Sequence, residues 1–153
     1  MVTSVVKQFR WPPSGLNFVE VKQVNYLAMR VISTKVHGVL DYLMGIILIA
    51  APWLLDFYRG GAETWVPVVL GIGVILYSLV TNYEYSISKT LSMRAHLTLD
   101  VISGVFLAAS PWLFDFDEVV YLPHLILGVL EIGAGLMTET ESKHAGYRTN
   151  VTH

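Results

Sequence analysis

The chain has 153 residues, 54% of them hydrophobic and only 14% charged, with a formal charge of −2 and a mean hydropathy of +0.54. Soluble domains carry roughly 25% charged residues, so a compact water-facing domain of this length would lack the polar surface to cover itself, and the length excludes two ordinary domains. The absence of cysteine excludes disulfides, thiolate metal sites and iron–sulfur clusters, and no basic run interleaved with aromatics points to nucleic acid.

Residues 1–32 form a cytoplasmic N-terminal segment in this reading. Trp11-Pro12-Pro13-Ser14-Gly15 breaks any helix there. Leu16–Ser33 predicts a helix lying on the membrane surface, with Val21, Val24, Ala28 and Val31 on one side, although Phe18, Tyr26 and Met29 fall elsewhere. No uninterrupted apolar stretch of signal-peptide type occurs in residues 1–35, so the N-terminus is expected to be retained.

Four apolar segments follow: Gly38–Leu55, Trp65–Thr81, Leu97–Phe114 and Val119–Thr138, of 18, 17, 18 and 20 residues. An 18-residue helix is about 27 Å long, close to the roughly 30 Å hydrocarbon core of a bilayer. Lipid offers no partners to backbone groups, so segments of this length satisfy themselves as helices. The expected fold is all-α and polytopic, with four transmembrane helices and a cytoplasmic tail over residues 142–153.

Lys7, Arg10, Lys22, Arg30 and Lys35 precede the first span, Lys89 and Arg94 lie between spans two and three, and Lys143 and Arg148 lie in the tail. The opposite side holds only Arg59, together with Asp56, Glu63, Asp115, Asp117 and Glu118. The positive-inside rule then predicts a multi-pass protein of the cell membrane with both termini cytoplasmic. Trp53, Trp65 and Trp112 fall near the outer boundary, where indole rings favour the interface.

Ser33–Phe57 and Ser92–Phe116 align with 12 identities in 25 positions, among them His37/His96, Asp41/Asp100, Gly45/Gly104, Pro52/Pro111, Trp53/Trp112 and Asp56/Asp115. The following spans align after a two-residue shortening of the loop: Leu70-Gly71 on Leu127-Gly128, Ser78 on Gly135, Thr81 on Thr138 and Glu84 on Glu141. The expectation is an internal duplication of a two-helix hairpin, over residues 33–86 and 92–141. An even number of spans per unit gives parallel repeats related by an axis along the membrane normal.

The stretch "ASPWLFDF" (Ala109–Phe116), closing the first helix of a two-helix unit, resembles the SPW-repeat family of membrane proteins. Ser110-Pro111-Trp112 carries the signature tripeptide, and the first copy departs from it with Ala51-Pro52-Trp53. The resemblance covers roughly residues 33–140. It implies a small integral membrane protein of uncharacterised activity and supplies no catalytic residues.

His37, Asp41 and Gly45 stand at i, i+4 and i+8, as do His96, Asp100 and Gly104, so each triplet shares a helix face. Gly71 with Ser78, and Gly128 with Gly135, make a second small-residue stripe; such stripes let membrane helices approach closely. The reading adopted is a packing seam in which the His and Asp side chains bond one another or the cytoplasmic loops. Two imidazoles and two carboxylates also have the types and number of ligands for a divalent metal such as zinc, and ionisable groups inside spans suit a proton or cation relay. Bis-histidine haem ligation has no further support, because both histidines sit near the membrane edge. Neither a metal nor a cofactor is assigned.

Pro52 and Pro111 either interrupt the last turn of a continuous span or, with Ser110 as cap, open a short new helix. Glu131 has Val74 as its counterpart, so duplication does not account for it. His124 lies two turns outward on the same face, and the expected partner of Glu131 is His96 or a backbone carbonyl. With no nucleophile–base pair and no phosphate or Gly-rich cofactor loop, the expected function is a non-enzymatic scaffold or accessory subunit. Its partners would be the lipid bilayer and a second copy or another membrane protein. The alternative is a small proton- or cation-coupled transporter using Glu131 and the His/Asp cluster.

Overall fold

The computed structural model describes residues 30–82 and 84–140. The surface helix predicted over Leu16–Ser33 lies outside them apart from positions 30–33, and so does the tail over 142–153. Four helices follow in order: α1 (Thr34–Leu54), α2 (Ala62–Val80), α3 (Met93–Leu113) and α4 (Leu122–Met137). Helices α1, α2 and α3 are long and apolar enough to cross a membrane. Helix α4 is apolar but has 16 residues, about 24 Å at 1.5 Å per residue.

The helix boundaries follow capping chemistry rather than hydropathy. Ser33 and Ser92 accept hydrogen bonds from the N–H groups of Val36 and Ala95, both at 3.3 Å. These caps start α1 and α3 a full turn before the apolar runs begin. Helix α4 starts later than its apolar segment. The N–H groups of Val119 and Val120 both turn back to the Phe116 carbonyl at 3.0 Å, and the helix opens at Leu122 with Pro123 in its first turn. Gly61, the cap of α2, has no side chain to accept from the first turn. Glu63 accepts from the Gly61 N–H at 2.9 Å, and Thr64 Oγ1 accepts from the N–H groups of Arg59 and Gly60.

Helices α1 and α2 pack along each other, as do α3 and α4, while α2–α3 and α1–α4 contacts are fewer. Glycine sets the closeness of each hairpin. A Cβ on Gly71 would sit 2.7 Å from the Gly45 carbonyl oxygen, and one on Gly104 would sit 2.7 Å from the Gly128 carbonyl oxygen. Without a hydrophobic drive between helices in lipid, this close approach is the source of van der Waals contact. Leu48, Val74 and Leu107 form a buried apolar centre, flanked by Met44, Leu70 and Leu127. Outward positions are apolar and exposed, among them Leu43, Ile46, Ile72, Ile102 and Val129.

The Pro-Trp segments end α1 and α3 in the same way. Both prolines lie inside continuous helices, so Ser110 does not cap a new one. The N–H of Phe57 bonds the Pro52 carbonyl at 3.0 Å, and that of Phe116 bonds the Pro111 carbonyl at 2.9 Å. Asp56 and Asp115 supply the left-handed residue, each at φ 55°. This is the six-to-one closure of a Schellman motif, with aspartate in place of the usual glycine. It returns the chain sharply and buries Phe57 and Phe116 while Trp53 and Trp112 remain half exposed.

Replacing Gly128 with alanine places a methyl 2.5 Å from the Gly104 carbonyl oxygen and 2.7 Å from the Ala108 nitrogen, so the backbones must separate. The expected cost is about 1–3 kcal/mol, read as a lower midpoint of thermal unfolding in detergent. Gly133→Ala, with nothing within 4 Å, is expected to be neutral or stabilising by up to about 1 kcal/mol.

Candidate functional site at the hairpin junction

The capping serines place His37 and His96 in the first turns of α1 and α3, and i+4 spacing puts Asp41 and Asp100 on the same faces. All four residues are buried, the histidines almost completely. The two Nε2 atoms face each other at 3.2 Å. His37 Nε2 lies 3.2 Å from Asp41 Oδ1 and 3.0 Å from Asp100 Oδ2. His96 Nε2 lies 3.0 Å from Asp41 Oδ2 and 3.3 Å from Asp100 Oδ2. One donor atom from each of the four residues falls within 4.8 Å of the others.

The outer ring nitrogens reach across the junction. His37 Nδ1 is 2.9 Å from Thr138 Oγ1 beyond α4, and His96 Nδ1 is 2.8 Å from Thr81 Oγ1 beyond α2. Both threonine hydroxyls also donate to the last turn of their own helices, Thr81 to the Tyr77 carbonyl at 2.7 Å and Thr138 to the Ala134 carbonyl at 2.6 Å. The backbone crosses in parallel with the side chains. Ile32 bonds the Met137 carbonyl and accepts from Glu139, while Leu91 bonds the Val80 carbonyl and accepts from Asn82. The start of each hairpin is therefore tied to the end of the other.

The predicted His–Asp–Gly stripes thus separate into two uses. His and Asp converge between hairpins, and the glycines serve contacts within each hairpin, Gly45 against Gly71 and Gly104 against Gly128. Gly135 packs against Val101 and the Leu97 carbonyl beside Asp100. Its counterpart Ser78 instead donates to Asp41 Oδ2 at 3.2 Å. Asp100 receives its extra bond from Tyr77 at 2.6 Å, which has Ala134 as counterpart.

Glu131 is buried at 5% exposure. Its partner is Ser103, whose hydroxyl donates to Oε1 at 2.8 Å, rather than His96 or a backbone carbonyl; among the described residues Oε2 has no hydrogen bond. The reason is axial position: Ser103 lies one turn outward of Asp100 on α3, level with Glu131, whereas His96 lies about two turns further in. His124 sits between Phe57 and Phe116, with ring centroids 5.3 and 5.0 Å away, and its Nε2 donates to the Glu63 carbonyl at 3.0 Å. The apolar Leu48–Val74–Leu107 centre occupies the level between the His/Asp cluster and this outer histidine.

Sequence reasoning did not assign Thr81, Thr138, Tyr77 or Ser103. The two threonines had a signal, since they occupy matching positions at the ends of the second and fourth spans. Ser103 and Tyr77 have no matching polar counterpart and carried none.

The signature tripeptide also acquires a physical role. Pro111 has no N–H, so the Leu107 carbonyl four residues back loses its helical donor. The Ser110 hydroxyl donates to that carbonyl at 2.7 Å. In the first copy Ala51 has no hydroxyl to give Leu48.

A helical chain with long apolar helices, glycine-mediated contacts and a polar cluster shut inside defines a membrane protein. Within that class, the family model described as the SPW repeat domain matches residues 35–138, and the chain belongs to this family. Comparison with curated proteins and with solved structures found no match.

Ser110→Ala leaves the buried Leu107 carbonyl without a donor and is expected to cost about 1–3 kcal/mol. Ala51→Ser should not reproduce that loss, since it supplies the same bond to Leu48. Unfolding midpoints of the two variants against the parent chain check the pair.

Proposed function

We propose that this protein is a non-enzymatic scaffold or accessory subunit of the cell membrane. In this reading it is a four-span bundle of two parallel hairpins that arose by internal duplication, with both termini in the cytoplasm. The observation that carries the reading is how the interior polar groups are used. His37, Asp41, His96, Asp100, Thr81 and Thr138 bond across the hairpin junction, while an apolar centre fills the bundle beyond them. The outward faces offer exposed aliphatic side chains over the length of the helices, suited to lipid and to a second membrane protein or a second copy. Helix α4 spans in this reading with its flanking apolar residues Val119–Tyr121 at the outer boundary.

The lysine and arginine asymmetry supports the orientation. The chain has no cysteine, so single cysteines report cleanly. Cysteine at Ser88, exposed between α2 and α3, is expected to label only from the cytoplasmic side, and cysteine at Glu118, exposed between α3 and α4, only from outside. Labelling of both from one side contradicts the paired-hairpin topology.

A second reading, a small proton- or cation-coupled transporter, draws on Glu131, whose Oε2 is buried without a hydrogen bond among the described residues one turn from the cluster. An intramembrane carboxyl of this kind is a functional candidate. Purified chain in vesicles carrying a pH-sensitive dye separates the readings. The scaffold reading expects no proton or cation flux above empty vesicles; a flux abolished by Glu131→Gln would replace it with the carrier.

A further inference from the structure

We propose that His37, Asp41, His96 and Asp100 bind one divalent transition-metal ion, zinc above others, in a closed tetrahedral site that bridges the two hairpins. The inference is independent of whether the bundle acts as scaffold or carrier.

The hydrogen bonds at the outer ring nitrogens fix which nitrogen of each histidine can face the cluster unprotonated. Each threonine hydroxyl has one proton. At Thr81 that proton belongs to the Tyr77 carbonyl, because the Thr81 N–H, its ordinary helical donor, bonds Ser78 instead. At Thr138 it goes to the Ala134 carbonyl at 2.6 Å. The hydroxyl oxygens are left as acceptors, so Nδ1 of each histidine carries the hydrogen and donates it. In the neutral rings that metal ligation requires, both Nε2 lone pairs then point into the space between the rings. Fixing the ring through a bond from the non-ligating nitrogen is how proteins orient metal-binding histidines.

Metal–ligand bonds of 2.0–2.1 Å in a tetrahedron put ligand atoms about 3.3 Å apart. The Nε2–Nε2 separation is 3.2 Å, Asp100 Oδ2 lies 3.0 and 3.3 Å from the two nitrogens, and Asp41 meets His37 through Oδ1 at 3.2 Å and His96 through Oδ2 at 3.0 Å, so a single oxygen of Asp41 needs only a small rotation to complete the set. With the rings neutral, two lone pairs and two carboxylates at these distances repel; protons on Nε2 relieve this in the metal-free protein, and one cation among the four relieves it in the loaded one.

Two carboxylates and one divalent cation sum to zero, which suits a buried position inside a membrane bundle, where uncompensated charge is costly. Imidazole with carboxylate and no thiolate selects zinc and its first-row neighbours over soft ions. Four protein ligands close the coordination sphere, so the metal is structural: a clasp joining α1 to α3.

The test uses the full chain in detergent, produced without a polyhistidine tag and with His144→Gln and His153→Gln to remove the tail histidines. Elemental analysis and titration of the chelator-stripped protein with Zn²⁺ should give one equivalent per chain and a higher unfolding midpoint. Co²⁺ should give the intense visible ligand-field bands of a tetrahedral site. His96→Gln should abolish both, and Thr138→Val, which keeps all four ligands, should weaken Zn²⁺ binding about 10- to 100-fold. Should either variant fail to fold, the stripped parent chain still decides. No stoichiometric Zn²⁺ or Co²⁺ uptake and an unfolding midpoint indifferent to chelator and metal would overturn the site, as would octahedral Co²⁺ bands or uptake unchanged in folded His96→Gln.

Discussion

The crossed bonds from His37 to Thr138 and from His96 to Thr81 are the constraint on which the junction end of the bundle depends. Each couples a ring in the first turn of one hairpin to the residue that ends the other. Because the same hydroxyls also close the last turns of α2 and α4, a helix end and a ring orientation are fixed together. The backbone pairs at Ile32 with Thr138 and at Leu91 with Thr81 lie alongside. With the rings held so, Asp41 and Asp100 both lie against the two Nε2 atoms, and the glycine contacts further along the helices set how near the helices bearing them can lie.

The other end of the bundle is organised by the backbone rather than by side-chain charge. A proline near the end of α1 and α3, a left-handed aspartate and a six-to-one hydrogen bond turn the chain in few residues. The turn buries one phenylalanine per copy against His124 and leaves a tryptophan half exposed. Aspartate at φ 55° is tolerated where β-branched residues are not, and it keeps a charge at a surface where glycine would leave none. The family tripeptide belongs to this device: proline removes a donor, serine restores it, and tryptophan stays half exposed beside the turn.

Much of this was legible in the sequence because the pattern occurs twice. Agreement at His37/His96, Asp41/Asp100 and Gly45/Gly104 distinguished seam residues from the surrounding aliphatic ones, and segment length gave the helices. What the repeat could not convey was where the two copies differ. Val74 against Glu131, Tyr77 against Ala134 and Ser78 against Gly135 all lie on α2 and α4, and they give Asp41 and Asp100 different extra donors. Convergence of the two His and two Asp was legible from the repeat, but the exact partners were not: spacing puts His37 on a face with Asp41, and the structure adds that it also meets Asp100. The start of α4 was misplaced by three residues because Val119 and Val120 are apolar yet spend their N–H groups in a turn.

The crossed backbone pairing has a consequence for chain connectivity. Ile32 and Glu139, at the two limits of the bundle, are hydrogen-bonded neighbours, just as Asn82 and Leu91 are neighbours across the α2–α3 connection. The bundle therefore has two equivalent seams, one bridged covalently and one open. Joining residue 32 to 139 through a short linker and opening the chain between 82 and 91 would circularly permute the protein while retaining the histidine, aspartate, threonine and glycine contacts described above. The order of the hairpins along the polypeptide is thus not what holds them together.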